Sequence, residues 1–240
     1  MKSLIAIVNC RKRQDTWADA IRKTWLPLVP KDKADAFFFV GRGEGTMPAD
    51  TIELDCDDSY AGLPDKIRAI ARWAHDKEIY SYMLKCDDDV VLFLEPLLAS
   101  EYTQVEYTGR LNRPITAQTP YTVPMGFNYW LSRKCMALVK DAELPPNSND
   151  DEKWVAGILH NAQIRLTDDI RYRLHYGLHV NRPVRVNRPL RPRFIEPVNG
   201  EFSWCVFLEG NSGERIPTDV KIAEFNRLFH RVYPFVREAT

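Results

Sequence analysis

The chain opens on an apolar run, Leu4-Ile5-Ala6-Ile7-Val8, that turns polar at Asn9 and Cys10. A run this short and this rich in β-branched residues reads as a strand covered on both faces, and it sets a first expected strand at residues 4–10. Similar runs recur at 37–41, 51–56 and 79–85, separated by polar or proline-containing stretches. Between them the apolar spacing becomes that of helices. Thr16 stands where a cap would precede Ala20, Ile21, Thr24 and Trp25, and Pro27 marks the stop. Pro64 suits the first turn of a second helix, whose Ile67, Ile70, Ala71 and Ala74 share one face. A third helix is expected over 133–141, ahead of Pro145-Pro146, and a fourth over 151–161. Strands alternating with helices predict an α/β protein, a sheet flanked by helices.

After Leu166 the pattern is lost. Eight arginines fall between Arg165 and Arg193, together with His175 and His179, and Pro183, Pro189 and Pro192 interrupt any helix. The expected organisation is therefore a core over 1–170 and a basic, extended segment over 171–240 that completes the core's site. Arginines spaced this way cannot all be buried, so they form a solvated surface or meet an anion, with phosphates, nucleic acid among them, the natural candidates.

Composition narrows the picture only slightly. With 33 basic and 33 acidic residues and 45% hydrophobic content, the chain is an ordinary globular protein whose net charge names no partner. No apolar run reaches the roughly 18 residues of a membrane span, and the N-terminal run is too short for a signal peptide, so a cytoplasmic protein is expected. The five cysteines are widely spaced and contain no CxxC pair, which favours buried free thiols in a reducing compartment.

Candidate chemistry enters at Lys85-Cys86-Asp87-Asp88-Asp89-Val90, directly after the strand-like Tyr80-Ser81-Tyr82-Met83-Leu84. Three acids at the carboxyl end of a strand sit where open α/β sheets bind ligands. Their mutual repulsion needs a positive counterweight, and their hard oxygens suit Mn²⁺ or Mg²⁺. A solvated acidic turn is the alternative, but apolar sequence brackets the acids tightly on both sides.

Several blocks, taken in order, resemble the beta-1,3-galactosyltransferase and Fringe-like glycosyltransferases. Ala20-Ile21-Arg22-Lys23-Thr24-Trp25 is similar to that family's AIRxTW helix, and Phe38-Phe39-Val40-Gly41 to its second strand. Asp55-Cys56-Asp57-Asp58-Ser59-Tyr60, with Leu63 and Lys66, resembles DFxDSYxNLTxK, and residues 85–90 resemble KxDDDV. Pro120-Tyr121 and Gly126-Phe127-Asn128-Tyr129-Trp130-Leu131-Ser132 look like PxYxxGxGYxxS, and Asp151-Glu152-Lys153-Trp154-Val155-Ala156 lies where the family has EDVYVG. The resemblance spans about residues 4–170. It departs in having Ala18 in place of an arginine, in the order of the acid pair, and in lacking an anchor and stem, which argues for a bacterial or viral enzyme.

The resemblance implies a GT-A-like, Rossmann-type mixed sheet flanked by helices, with the basic extension at its C-terminus. It implies an inverting, metal-dependent glycosyltransferase that uses a UDP-sugar. Asp89 would be the main Mn²⁺ (or Mg²⁺) ligand with Asp87, and His175 or His179 would join from a C-terminal strand. Asp87 and Asp88 would lie near the nucleoside; Lys66 and Lys85 would meet uracil or phosphate; Arg11 or Arg13 would replace the missing arginine. Asp58, Tyr60 and Gly126 belong to the donor motifs, and Glu152 or Asp151 would be the base. The 121–130 block would wall the sugar, unless it is a core strand. The acceptor would be a glycan or lipid-linked saccharide. Alternatives are modified viral DNA bearing hydroxymethylated bases, a non-catalytic nucleotide- or carbohydrate-binding module, and a nucleotidyltransferase or phosphohydrolase using the same acids.

Overall fold

A computed structural model describes residues 2–113, 115–116, 119–146, 148–176, 203–207 and 218–234. The N-terminal run forms β1 (Lys2–Val8). Its side chains alternate between two cores, Ile5 and Ile7 toward one and Leu4, Ala6 and Val8 toward the other, which is why the sequence lacks a polar face. A 3₁₀ turn at Arg11–Arg13 and a π turn at Gln14–Ala18 lead into the short α1 (Asp19–Lys23). Thr16 is thus inside the π turn and caps nothing; its hydroxyl donates back to the Arg13 carbonyl at 3.2 Å.

The chain continues through β2 (Ala34–Val40), β3 (Thr51–Glu53) and α2 (Leu63–Asp76), with Pro64 in the first turn of α2 as its fixed φ favours. β4 (Tyr80–Asp87) runs two residues further than the sequence pattern suggests and carries the first of the three acids on its last position. β5 (Val90–Leu92), α3 (Leu94–Leu98), β6 (Tyr107–Arg113) and β7 (Val123–Ser132) follow. Next come α4 (Arg133–Lys140), α5 (Asp151–Asn161), β8 (Thr167–Asp168), β9 (Tyr172–Tyr176), β10 (Ser203–Phe207) and α6 (Thr218–Val232).

Seven strands form one mixed sheet in the order β3-β2-β1-β4-β7-β6-β8. β3, β2, β1 and β4 are parallel; β7 runs antiparallel between β4 and β6. A second sheet, β5-β10-β9, draws residues from beyond position 170 against the strand that follows the acids. One face of the main sheet packs on α2, α4 and α5 through Ile67, Ile70, Met136, Val139, Val155 and Leu159. The other packs on α1 and α6. There Trp17 meets Phe225 edge-on at 5.9 Å, Trp25 donates its indole N–H to the Val90 carbonyl at 2.9 Å, and the Tyr233 hydroxyl donates to the Leu92 carbonyl at 2.8 Å. No helix among the described residues is long and apolar enough to cross a membrane.

Candidate functional site

The strand order creates the site. From β1 the chain moves outward through β2 and β3, then returns to place β4 on the other side of β1, so the carboxyl ends of β1 and β4 border a topological switch point, where open sheets leave a crevice. A cleft of about 570 Å³ opens there, within the size range of small-molecule sites. Asn9, Cys10, Lys12 and Arg13 line it after β1, Asp87, Asp88 and Asp89 after β4, Met125 to Phe127 on β7, and Asp151 and Glu152 on α5.

Asp58 staples one end of this cleft. Its carboxylate accepts from the Arg11 backbone N–H at 2.7 Å, the Gly41 N–H at 2.6 Å and Lys66 Nζ at 2.7 Å; the ammonium also donates to the Asn9 carbonyl at 2.7 Å. The ends of β1 and β2 and the start of α2 are thereby held by one side chain. Gly41 is required for this closure, since a Cβ there would lie 2.7 Å from the Asp58 nitrogen and the Cys56 carbonyl oxygen. Gly41→Ala is expected to cost about 1–3 kcal/mol of stability by overpacking, and to weaken ligand binding in the cleft more than Gly45→Ala, which lies outside the cleft lining and is strained only by its φ of +87°, with nothing within 4 Å of an added Cβ. Urea unfolding and calorimetry on the two variants check this.

The structure redistributes several expected roles. Arg11 does not line the cleft: its Nε donates to the Gly41 carbonyl, its Nη1 to the Glu44 and Gly45 carbonyls, and its Nη2 pairs with Glu53, so it pins the loop after β2. Arg13 does line it, stacked on Trp17 at 5.2 Å and paired with Asp88 at 2.9 Å. Lys85 is buried, and its ammonium donates to Asp87 at 2.6 Å and to the Gly126 carbonyl and lies 3.7 Å from Asp151. It knits the site together from behind. Tyr60 stands at the cleft, 72% exposed. Of the 121–130 block, Tyr129 and Trp130 are fully buried core residues, and only Met125, Gly126 and Phe127 reach the cleft. Asn9, Lys12 and Asn112 also line it, which no motif signalled.

The acid pair on α5 separates into two environments. Asp150 is the helix cap, accepting from the Lys153 N–H at 3.0 Å, so neither Asp151 nor Glu152 is consumed by that task. Asp151 is 3% exposed and faces Lys85 and the Tyr129 hydroxyl, 3.4 Å away. Burial raises its carboxyl above the usual range, against the pull of Lys85. Glu152 lies over Gly126, where an added Cβ would come within 3.2 Å of its carboxylate oxygens. Burial, and then the Asp151 charge, push Glu152 up to about 7.

On the opposite wall, burial lifts Asp87 to about 6, with Lys85 opposing, and raises Asp88 against Arg13. Asp88 Oδ2 is buried with no hydrogen-bond partner among the described residues. This orphan oxygen and these raised carboxyls are what a site prepared for positive charge shows. Among the described residues no cluster of three or more ligating side chains closes a cage, so the acids suit a cation that completes its shell from ligand phosphates and water. β9 places His175 opposite Val206, one row beyond Val90–Cys205–Leu174 and so at the level of Asp89. His179 and the arginines from Arg182 to Arg193 lie outside the described residues.

Comparison with known proteins agrees with this geometry. No curated protein matches in sequence. Residues 18–117 match the family model described as Galactosyltransferase. Among solved structures, the fold resembles a glycosyltransferase involved in the glycosylation of the major capsid of PBCV-1, at 11% identity and a TM-score of 0.50, covering 93% of this chain and 99% of that one. The matched segment contains α1, the Asp58 staple and the acid run of the cleft, so over these residues the chain is similar to the galactosyltransferase family, and it shares its fold with a solved glycosyltransferase.

Proposed function

We propose that the protein is an inverting, metal-dependent glycosyltransferase that moves a sugar from a UDP-sugar to an acceptor hydroxyl of a glycan or lipid-linked saccharide. The observation that carries this reading is the placement of Glu152, raised to about 7, in the same cleft as the acid run Asp87 to Asp89. Glu152 serves as the base, taking the proton from the acceptor hydroxyl as its oxygen attacks the anomeric carbon and the bond to the diphosphate breaks. A single displacement of this kind inverts the anomeric centre. Asp151 lies beside Glu152 and is itself held by Lys85, 3.7 Å away. Asp89, Asp87 and His175 are the candidates to hold Mn²⁺ or Mg²⁺, which, when bound, stabilises the departing diphosphate as a Lewis acid. Arg13 and Lys12 add positive charge on the β1 side of the cleft.

The test is UDP release from a panel of UDP-sugars with Mn²⁺, alongside Asp89→Ala and a chelator control. Hydrolysis of one donor that disappears in both controls is the expected result. Release that persists in Asp89→Ala and in chelator would remove the metal from the proposal, and no binding of any UDP-sugar by calorimetry would overturn it.

A further inference from the structure

The C-terminal helix α6 lies outside the matched segment 18–117, and none of its residues lines the cleft. It nevertheless braces both walls. Its buried Phe225 meets the Trp17 ring edge-on at 5.9 Å, and the Arg13 guanidinium lies over that same ring at 5.2 Å. Just past the helix, the Tyr233 hydroxyl accepts from the Leu94 N–H at 2.9 Å and donates to the Leu92 carbonyl at 2.8 Å. That clasp fastens α6 to β5, the strand that begins directly after Asp89. The segments leaving β1 and β4 at the switch point therefore share one support.

Arg13 is partly exposed, and its long stem would spread the guanidinium over many rotamers if nothing held it. Trp17 follows four residues later, the spacing that brings two side chains together on one helical face. The backbone between them is the π turn Gln14–Ala18, a rare conformation that recurs at functional sites. Stacking on an indole engages the face of a guanidinium and leaves its in-plane N–H groups for other partners. One of them, on Nη2, meets Asp88 Oδ1 at 2.9 Å and so turns the fork into the cleft. Trp17 is itself buried, and Phe225, at 84° to its ring plane, stops it from tilting toward α6.

We propose that Phe225 and Trp17 are positioning residues for Arg13, so that α6, a helix that touches no ligand, sets the affinity of the cleft for an anionic group. The inference rests on the nucleotide-sugar reading above in taking a diphosphate as that anion.

Calorimetry with UDP and with uridine in Mn²⁺, on wild type, Phe225→Leu, Arg13→Met and the double variant, tests it. Arg13→Met is expected to weaken UDP about tenfold or more, the worth of a hydrogen bond to a charged group. Phe225→Leu keeps the position apolar but removes the ring, and is expected to weaken UDP about two- to fivefold, the worth of a cation–π contact at a partly exposed site. In the Arg13→Met background the same substitution should have no further effect, because its action passes through the guanidinium. Uridine carries no phosphate and should bind all four proteins alike. Trp17→Phe shrinks the platform without emptying it, should behave as Phe225→Leu does, and takes its place if Phe225→Leu folds poorly. Additive losses in the double variant, or equal losses for uridine, would mean that α6 acts on the cleft as a whole and would overturn the proposal. Unchanged UDP affinity in both Phe225→Leu and Trp17→Phe would overturn it too. Failure of wild type to bind UDP would overturn the nucleotide-sugar reading as well, whereas UDP binding with additive losses overturns this inference alone.

Discussion

Glu152→Gln is expected to lower kcat by about 10²- to 10⁴-fold, the usual worth of a positioned general base, while leaving UDP affinity within a few-fold of wild type. The side chain keeps its shape over Gly126 and loses only its ability to take a proton. The pH dependence follows from the direction of its shift. A base works only when deprotonated, and burial and the Asp151 charge hold Glu152 at about 7. The rate constant kcat/KM should therefore climb as pH rises toward 7 and level off above it. Asp151→Asn removes the like charge but not the burial, so the rising limb should move part of the way toward the ordinary glutamate value and not all of it. A limb that stays in place in Asp151→Asn, or activity that survives in Glu152→Gln, would reassign the base. The same measurement distinguishes the two acids, between which the chain's own residue order does not choose.

That ambiguity shows where the sequence is informative. β1 is legible because both its faces are buried and its apolar run is continuous, β4 by its aromatic and apolar residues from Tyr80 to Leu84, and Pro64 marks the start of α2 by its fixed φ. The acid run is legible because it follows β4 directly. The roles of Lys85 and Arg11 are not, because a cation in a motif looks the same whether it faces ligand or protein. Only the fold shows that Lys85 is surrounded by Asp87, Asp151 and the Gly126 carbonyl, contributed by β4, α5 and β7. Thr16 fails as a cap for a related reason: a π turn before α1 redirects the backbone, and nothing in local composition announces it. Asn9 and Lys12 belong to no motif and reach the cleft only because β1 lies at the switch point. Short strands such as β5 and β8, two or three residues long, depend on partners distant in sequence and leave almost no periodic trace.

Lys85→Met is expected to destabilise the fold by about 3–5 kcal/mol, the cost of leaving a buried charge without its partner. Methionine replaces the stem of Lys85 closely, so packing changes little; the loss is electrostatic. Asp151, 3% exposed and 3.7 Å from the ammonium, would face water-poor surroundings with no cation in place of Lys85 and with the Tyr129 hydroxyl at 3.4 Å, and the Gly126 carbonyl would lose its donor. The pH dependence separates this mechanism from simple misfit. A carboxyl whose folded pKa is raised contributes stability at low pH and loses it as pH rises through that pKa. Asp151 is already raised with Lys85 present, since burial outweighs the attraction, and removing the cation raises it further. The deficit of Lys85→Met relative to wild type should therefore be largest at high pH and shrink as pH falls through the raised value of Asp151, where the carboxyl protonates and no longer needs a counter-charge. Lys85→Arg retains the charge in a slot sized for lysine and should lose about 1–3 kcal/mol by overpacking, with much less dependence on pH. Urea unfolding of the three proteins in chelator at pH 5 and pH 8 reads these differences directly. Equal losses for Lys85→Met at both pH values would mean that Lys85 acts through packing and not through the charge that it sets between β4 and α5 beside Asp151.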